Sequence, residues 1–529
     1  MGPGGTRSLI GPAPVAERTP SGVRLPPPGC WRAGCFLGFD PAARWDATGR
    51  PRHARWWEDV VWGGARRLGG ATLIEATAGM IAGPGAGKTL GWLVPLILTA
   101  QWPGPVVVAS TRLDLAGATA PARSRLGSVS VLDWRGPLAR ASGLPRVRWS
   151  LLDGCADAGI ALDRAEQLVD TVELGSQRDK PIWRSGATNV VGLWLHAAAL
   201  EGAGVDRIVQ WARAEDLQEP QRVLTAHGSR AGFGAAAAAL MGAAGETRAG
   251  VIATASPALA AVVTDPAVLD GCTPGAGDGL DLDKFLAAAH TLYLCDRATG
   301  TVSKCAPLTV ALVSALVERA EHRADASLHH RCDPPLLIVL DEIANISPLP
   351  GLVSLLSQAR GHGITVVWAA QSWSQLTERW GVAGAAAIWD TTAYRQVGAG
   401  LRDMAFLTDI STSLGERSAW RPSVSESSGH GAAARGGRSK SYTLMETPYI
   451  TASHLTRLPP GAAVLLGREG WRVVRLPPAP TIEPFRTMAS WPLTPADPDR
   501  DRAAHPETVR GWPASRPPLR ARLARWWGG

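Results

Sequence analysis

Lysine is scarce in this chain: of 54 basic residues only five are lysines, and the rest are arginines. Such a bias reads as the mark of a GC-rich genome, so arginine content alone carries no functional argument. The few lysines stand out instead. Cysteine is sparse too. Seven residues, an odd number without paired spacing, exclude a disulfide scaffold and suit a reducing cytosol. Cys30 and Cys35 lack the second ligand pair that zinc needs, and the eleven histidines show no metal-like spacing. Long apolar runs are missing as well. "GWLVPLILTA" (91–100) and "CAPLTVALVSALV" (305–317) fall short of bilayer length and each carries a proline, so neither a transmembrane helix nor a signal peptide is expected. What is present is a 529-residue chain of ordinary globular hydrophobicity, long enough for two or more domains. Its net charge of +8 permits binding to nucleic acid or an anionic membrane face.

The organisation follows from periodicity and punctuation. Residues 1–55, rich in Pro, Gly and Arg, read as an extended arm. From 56 to 154 strand-like runs alternate with helical segments: "ATLIEATAGMIAG" leads into a glycine loop, followed by "PVVVAS" (105–110) and "SVSVLDW" (128–134). That alternation predicts a parallel α/β sheet. Between 155 and 264 apolar residues recur at helical spacing, as in Leu162, Ala165, Leu168, Val169 and Val172, and "AAAAALMGAA" (235–244) is made of helix formers. An all-α insert is expected there. Strand character returns over 265–480, at "TLYLC", "LLIVL", "ITVVWAA", "AYRQVGA", "AAVLLG" and "WRVVRL". Residues 416–442 read as a Ser/Gly/Arg-rich loop, and 481–529 as a Pro/Arg-rich tail. The 22 tryptophans are expected as core or interface filler.

Two segments carry chemistry. A triphosphate needs several donors converging on its β and γ oxygens, and a strand-loop-helix turn supplies backbone N–H groups and a helix N-terminus. In "AGPGAGKT" (82–89) Gly83, Pro84, Gly85, Ala86 and Gly87 shape such a loop; Lys88 would reach the phosphates and Thr89 would ligate Mg²⁺. Ala82 replaces the usual first glycine. The competing reading is a Gly/Pro turn that happens to contain GKT. The second segment is "PLLIVLDEIAN": a buried strand tipped by Asp341, a metal-side acid, and Glu342, a general base. The competing reading there is a strand ending in a solvated acidic turn. If both segments act together, they belong on adjoining strands and hold one magnesium-bound triphosphate.

Residues 336–376 resemble the nucleotide-site half of type IV coupling proteins, the TraG/TraD-like ATPases of conjugation and type IV secretion. Three features carry the resemblance: Asp-Glu-x-Ala-Asn, Arg-Gly-x-Gly nineteen residues after the aspartate, and a strand ending in Gln-Ser. Weaker similarity extends it to about residues 60–480. The resemblance implies a RecA-like P-loop motor interrupted by an all-α domain, binding ATP and Mg²⁺ and assembling as a homo-hexamer. Such a ring would drive single-stranded DNA or a relaxase–DNA complex into a type IV secretion channel. It further implies that Arg360 reaches a neighbouring subunit's γ-phosphate and that Gln371 senses that phosphate or positions water. For Arg360 a surface salt bridge, and for Gln371 a strand-end cap, are the plain alternatives.

The chain also departs from the family. Many members begin with membrane-spanning helices, and none is evident in this sequence, so this one is expected in the cytoplasm, recruited to the inner face of the membrane through partners. Where the family has a lysine-containing turn after the second strand, this chain has "STRLDL", and Arg112 and Asp114 are given no role. Arg417, Arg421, Arg435, Arg438 and Lys440 are candidates to line a DNA-gripping pore. The tail "RPPLRARLARWWGG", with Trp526 and Trp527, is a candidate for an anionic membrane surface or a partner. Two rival functions remain: a double-strand DNA translocase of the FtsK or HerA kind, and a secretion-substrate docking protein with little turnover.

Overall fold

The computed structural model describes residues 35–39, 60–63, 66–68, 71–73, 77–99, 104–173, 181–297, 302–427, 437–467, 470–483 and 485–493. Its strands are β1 (Cys35–Phe39), β2 (Val60–Gly63), β3 (Arg66–Leu68), β4 (Ala71–Leu73), β5 (Ala78–Ile81), β6 (Val106–Ser110), β7 (Val129–Leu132) and β8 (Thr291–Cys295), then β9 (Leu336–Leu340), β10 (Ile364–Ala370), β11 (Tyr394–Gly398), β12 (Glu416–Ser427), β13 (Gly437–Pro448), β14 (Ala462–Gly467) and β15 (Gly470–Arg475). Eleven of them form one sheet in the order β2-β1-β15-β14-β11-β5-β10-β9-β6-β8-β7. From β11 to β7 every pairing is parallel, and from β11 outward through β14, β15 and β1 to β2 every pairing is antiparallel. The central strands are short, β-branched or leucine-rich, and buried throughout, as a parallel sheet covered on both faces requires.

The two-residue period of a strand divides these side chains between two cores. On one side Leu336, Ile338 and Leu340 of β9 join Val366 and Trp368 of β10, the helix Ala306–Ala326 and the insert helices. On the other, Leu337 and Val339 join Val367, Met80 and the segment from Lys88 to Thr99, with Asp114–Arg123. The sheet is thus the shared wall of both cores. Among the described residues six tryptophans are fully buried, and three of them donate as follows: Trp134 to Thr309 Oγ1 (3.0 Å), Trp194 to the Asp216 carbonyl (2.7 Å) and Trp368 to Thr392 Oγ1 (2.9 Å).

Between β7 and β8 the chain is mostly helical. The long helices are Ala158–Glu173, Pro181–Leu200 and Gly245–Thr264, with Val205–Ala214, Gln218–Ala226 and Phe233–Met241 between the last two. Gly245–Thr264 has the length and apolarity of a membrane span, a type of segment not expected from the apolar runs singled out in the sequence. One face of it packs instead in the bundle, burying Val251, Ile252, Ala255, Leu259 and Val262. The fit is close: a Cβ on Gly186 of the facing helix would lie 2.7 Å from Val251.

Other readings need correction. β1 lies inside the stretch read as an extended arm, and it pairs with β2 and β15 at the edge of the sheet. The Ser/Gly/Arg-rich loop is an antiparallel ribbon, β12 and β13 pairing without a break from Glu416↔Pro448 to Ser427↔Gly437. Composition hid the strand signal: serines and glycines outweighed an alternation that places Trp420, Tyr442 and Leu444 on one face, all exposed. Arg417, Arg421, Arg438 and Lys440 lie on these two strands, whereas Arg435 lies outside the described residues. The same holds for Trp526, Trp527 and the rest of the C-terminal basic segment. Earlier in that tail, the helix Phe485–Ala489 buries Phe485 and Met488 in the core.

One close approach ties the far end of the sheet to the glycine loop. A Cβ on Gly91 would stand 2.3 Å from the Leu476 carbonyl oxygen, a backbone atom with little freedom to yield. Gly91→Ala is expected to destabilise the fold by about 1–3 kcal/mol, measured as a lowered midpoint in urea or thermal unfolding; an unchanged midpoint would contradict this packing.

Candidate nucleotide site

The glycine loop leaves β5 at Ile81 and enters a π-helical turn, Lys88–Leu93, that continues as the helix Val94–Thr99. Two backbone bonds pin its start: Ala82 N donates to Ala370 O of β10 (3.1 Å) and Gly83 N to Ala399 O beyond β11 (2.8 Å). Gly83 must be small there, since its Cβ would lie 2.7 Å from the Gly400 carbonyl. Gly85 (φ 72°) and Gly87 (φ 102°) adopt the left-handed conformation that turns the loop back. Pro84 and Gly85 form its exposed crest, while Ala86 is buried and accepts from Gly461 N (3.1 Å).

Lys88 is buried beneath this loop. Its Nζ donates to the carbonyls of Ala82 (2.5 Å) and Gly83 (3.0 Å), and burial lowers its pKa against the opposing pull of Asp341 and Glu342. Asp341, at the tip of β9, is 5% exposed; burial and the adjacent Glu342 push its carboxyl up to about 6, with Ser110, Lys88 and Thr89 pulling the other way. Its Oδ2 accepts from Ser110 Oγ (3.1 Å) and from Thr89 Oγ1 at 3.5 Å. Its Oδ1 is buried with no hydrogen-bond partner. A buried, unpartnered carboxylate oxygen beside a threonine hydroxyl is an oxygen donor set that suits the water shell of a magnesium ion.

Glu342 stands in a left-handed backbone conformation (φ 56°, ψ 56°), one a non-glycine residue keeps only where its surroundings fix it. Its surroundings are polar on both sides. Gln371 Nε2 donates to Oε1 (2.6 Å), Asn345 Nδ2 to Oε2 (3.1 Å) and Thr111 Oγ1 to Oε2 (3.5 Å). The carboxylate is therefore held in place while its neighbour Asp341 faces the glycine loop.

Of the residues singled out in the sequence, Gly83 to Thr89, Asp341, Glu342 and Gln371 come together at the C-terminal ends of parallel strands. The strands themselves are not adjoining, contrary to expectation. β10 lies between β5 and β9, and its tip carries Gln371, so the glutamine fills the gap that the loop spans. Arg360 is elsewhere. It is exposed in the turn between the helix Leu352–Gln358 and β10, at the opposite end of that strand from Gln371, about 23 Å of strand away. Ser110, Thr111 and Asn345 went unnoticed as contributors. The one sequence signal for the first two was a pair of hydroxyls closing the apolar run "PVVVAS". Arg112 and Asp114, left without a role, pair with each other at the surface (3.0 Å).

Comparison with known proteins points one way. Residues 335–460 match the family described as the TraM recognition site of TraD and TraG. No curated protein matches the sequence. Among solved structures, the bacterial conjugative coupling protein TrwBdeltaN70 in its unbound monoclinic form is similar at 18% identity and a TM-score of 0.55, over 76% of this chain and 84% of that one. TrwB in complex with the GTP analogue GDPNP is similar at 18% identity and a TM-score of 0.56, over 84% and 96%. TrwB with ADP and Mg²⁺ is similar at 17% and 0.55, over 76% and 85%. At such identities the likeness speaks for the fold: a RecA-like P-loop architecture. Over residues 335–460 the chain is similar to TraD and TraG, and its overall fold is similar to that of the coupling protein TrwB.

Proposed function

We propose that this chain is an ATP-hydrolysing motor of the coupling-protein kind, moving single-stranded DNA or a DNA–protein substrate into a type IV secretion channel. The observation that carries the reading is the convergence of a buried lysine, a threonine, a buried aspartate and a glutamine-held glutamate on one glycine loop. TrwB, of the same fold, binds ADP with Mg²⁺ and a non-hydrolysable ATP analogue, which supports ATP and Mg²⁺ as the ligands here.

The backbone N–H groups of Gly85, Gly87 and the helical turn that begins at Lys88 bind phosphate oxygens, and Lys88 exchanges the Ala82 and Gly83 carbonyls for the β and γ oxygens. Thr89 and Asp341 would hold a magnesium ion, which would supply positive charge against the phosphate oxygens. Glu342 accepts the proton of the attacking water, and Gln371 orients that water. Because the glutamate is already hydrogen-bonded at both oxygens, little reorganisation is needed to bring it to bear. Arg360 lies too far along β10 to serve its own site, so its guanidinium acts on a neighbour's γ-phosphate in a ring, a homo-hexamer by analogy with the family. Relaxase-bound DNA and the channel components are the partners.

Lys88→Ala is expected to abolish ATP turnover while the chain still folds; turnover at the parental rate would refute the site. Arg360→Ala leaves nucleotide affinity within about two-fold and lowers turnover by 10³-fold or more, and parental specific activity falls on dilution below the assembly concentration. Specific activity that holds constant down to dilute monomer would remove the role in trans. Single-stranded DNA raises turnover for a coupling motor, whereas a docking protein hydrolyses little with or without it.

A further inference from the structure

Glu342 is connected to a polar network that runs away from the nucleotide loop toward the helical insert. Asn345, which donates to Glu342, also accepts through its backbone carbonyl from Ser303 N (2.9 Å). The Ser303 hydroxyl donates to Asp296 Oδ2, and its oxygen in turn accepts from Cys305 N (3.0 Å). Asp296, just beyond the tip of β8, is 2% exposed, and burial pushes its carboxyl up to about 7 against the pull of Arg135. Arg135 bridges two carboxylates: Nη1 reaches Asp296 Oδ1 (3.2 Å) and Nε reaches Asp265 Oδ2 (2.9 Å). Asp265 directly follows the long insert helix Gly245–Thr264, and its other carboxylate oxygen caps the next helix by accepting from Ala267 N (3.0 Å). The nearby Asp133 has its own task, accepting from Leu138 N and Ala139 N.

We propose that Arg135 and Asn345 are positioning residues that fix the Glu342 carboxylate and tie it to the exit of the helical insert at Asp265. The inference rests on the ATPase reading of the site but names residues that reading does not use. A left-handed glutamate keeps its rotamer only if its partners are fixed, and Asn345 is fixed through Ser303 by a carboxylate that itself needs Arg135. Loss of Arg135 leaves a buried carboxylate without its cation, and the loop carrying Ser303 then shifts to rehydrate it. A displacement of the insert's exit therefore reaches the catalytic base through four residues, Arg135, Asp296, Ser303 and Asn345, of which the last two are joined by their backbones.

The test uses the full chain. Asn345→Ala is expected to lower kcat by about 10–100-fold, as for other outer-sphere partners of a catalytic group, with KM for ATP within two-fold and the melting temperature unchanged. Arg135→Gln lowers kcat in the same way, and Arg135→Lys restores part of it. In the double variant Arg135→Gln with Asn345→Ala, the loss is no greater than for Asn345→Ala alone, because both act on one carboxylate. Fully additive losses, or unchanged kcat in either single variant, would overturn the proposal. Amide hydrogen exchange supplies an arm independent of turnover: Arg135→Gln speeds exchange at Ser303 and through 342–346, while a change confined to residues 133–136 would overturn the route. A parental protein with no more turnover than Lys88→Ala counts against the ATPase reading alone, and the exchange result still decides the route.

Discussion

Everything in this fold bears on one electrostatic problem: Lys88, Asp341 and Glu342 are brought together where water is largely excluded. Burial alone favours the neutral form of each buried group, lowering the lysine and raising the aspartate. The three are tolerable together because opposite charges are neighbours and because backbone carbonyls, Ser110 and Gln371 supply the remaining bonds. An anionic ligand carrying a divalent cation would relieve the arrangement further, giving Lys88 an anion and the unpartnered Asp341 oxygen a partner. The site is therefore poised for a metal-bound triphosphate rather than for a neutral substrate.

The sheet exists in the form it does to deliver these groups to one edge. Parallel strands place all their C-terminal ends on the same side, so a loop after β5, an acid pair after β9 and a glutamine after β10 meet there without long connections. By the same geometry Arg360, which precedes β10, is sent to the far side. A residue at that end lies away from the glycine loop of its own chain, so the proposed ring and the proposed role of the arginine stand or fall together. The network from Asp265 through Arg135 and Asn345 adds a second direction of control, from the helical insert into the same glutamate.

Much of this was legible in the sequence because buried parallel strands write themselves as short apolar runs. "TLYLC", "LLIVL", "ITVVWAA" and "AAVLLG" coincide with β8, β9, β10 and β14 to the residue. The glycine loop was legible for a different reason, since three glycines before a lysine and threonine state a backbone requirement directly. Less legible was anything set by long-range register. That β10 intervenes between β5 and β9 depends on sheet order, which composition does not encode. The β12–β13 ribbon was obscured by serine and glycine, and β1 by the proline-rich context around it. Asn345 and the Arg135 bridge left no signal, and Ser110 and Thr111 only a faint one, because each gains its meaning from a partner 3 to 231 positions away.

The most direct measurement is the affinity of the purified chain for ATP with and without Mg²⁺, for the parental protein and for Asp341→Asn. A single metal-triphosphate site requires that Mg²⁺ tighten binding to the parental protein and that Asp341→Asn lose most of that tightening while binding the metal-free nucleotide as well as before. No measurable nucleotide affinity in the parental protein, or an equal effect of Mg²⁺ on both proteins, would contradict the site.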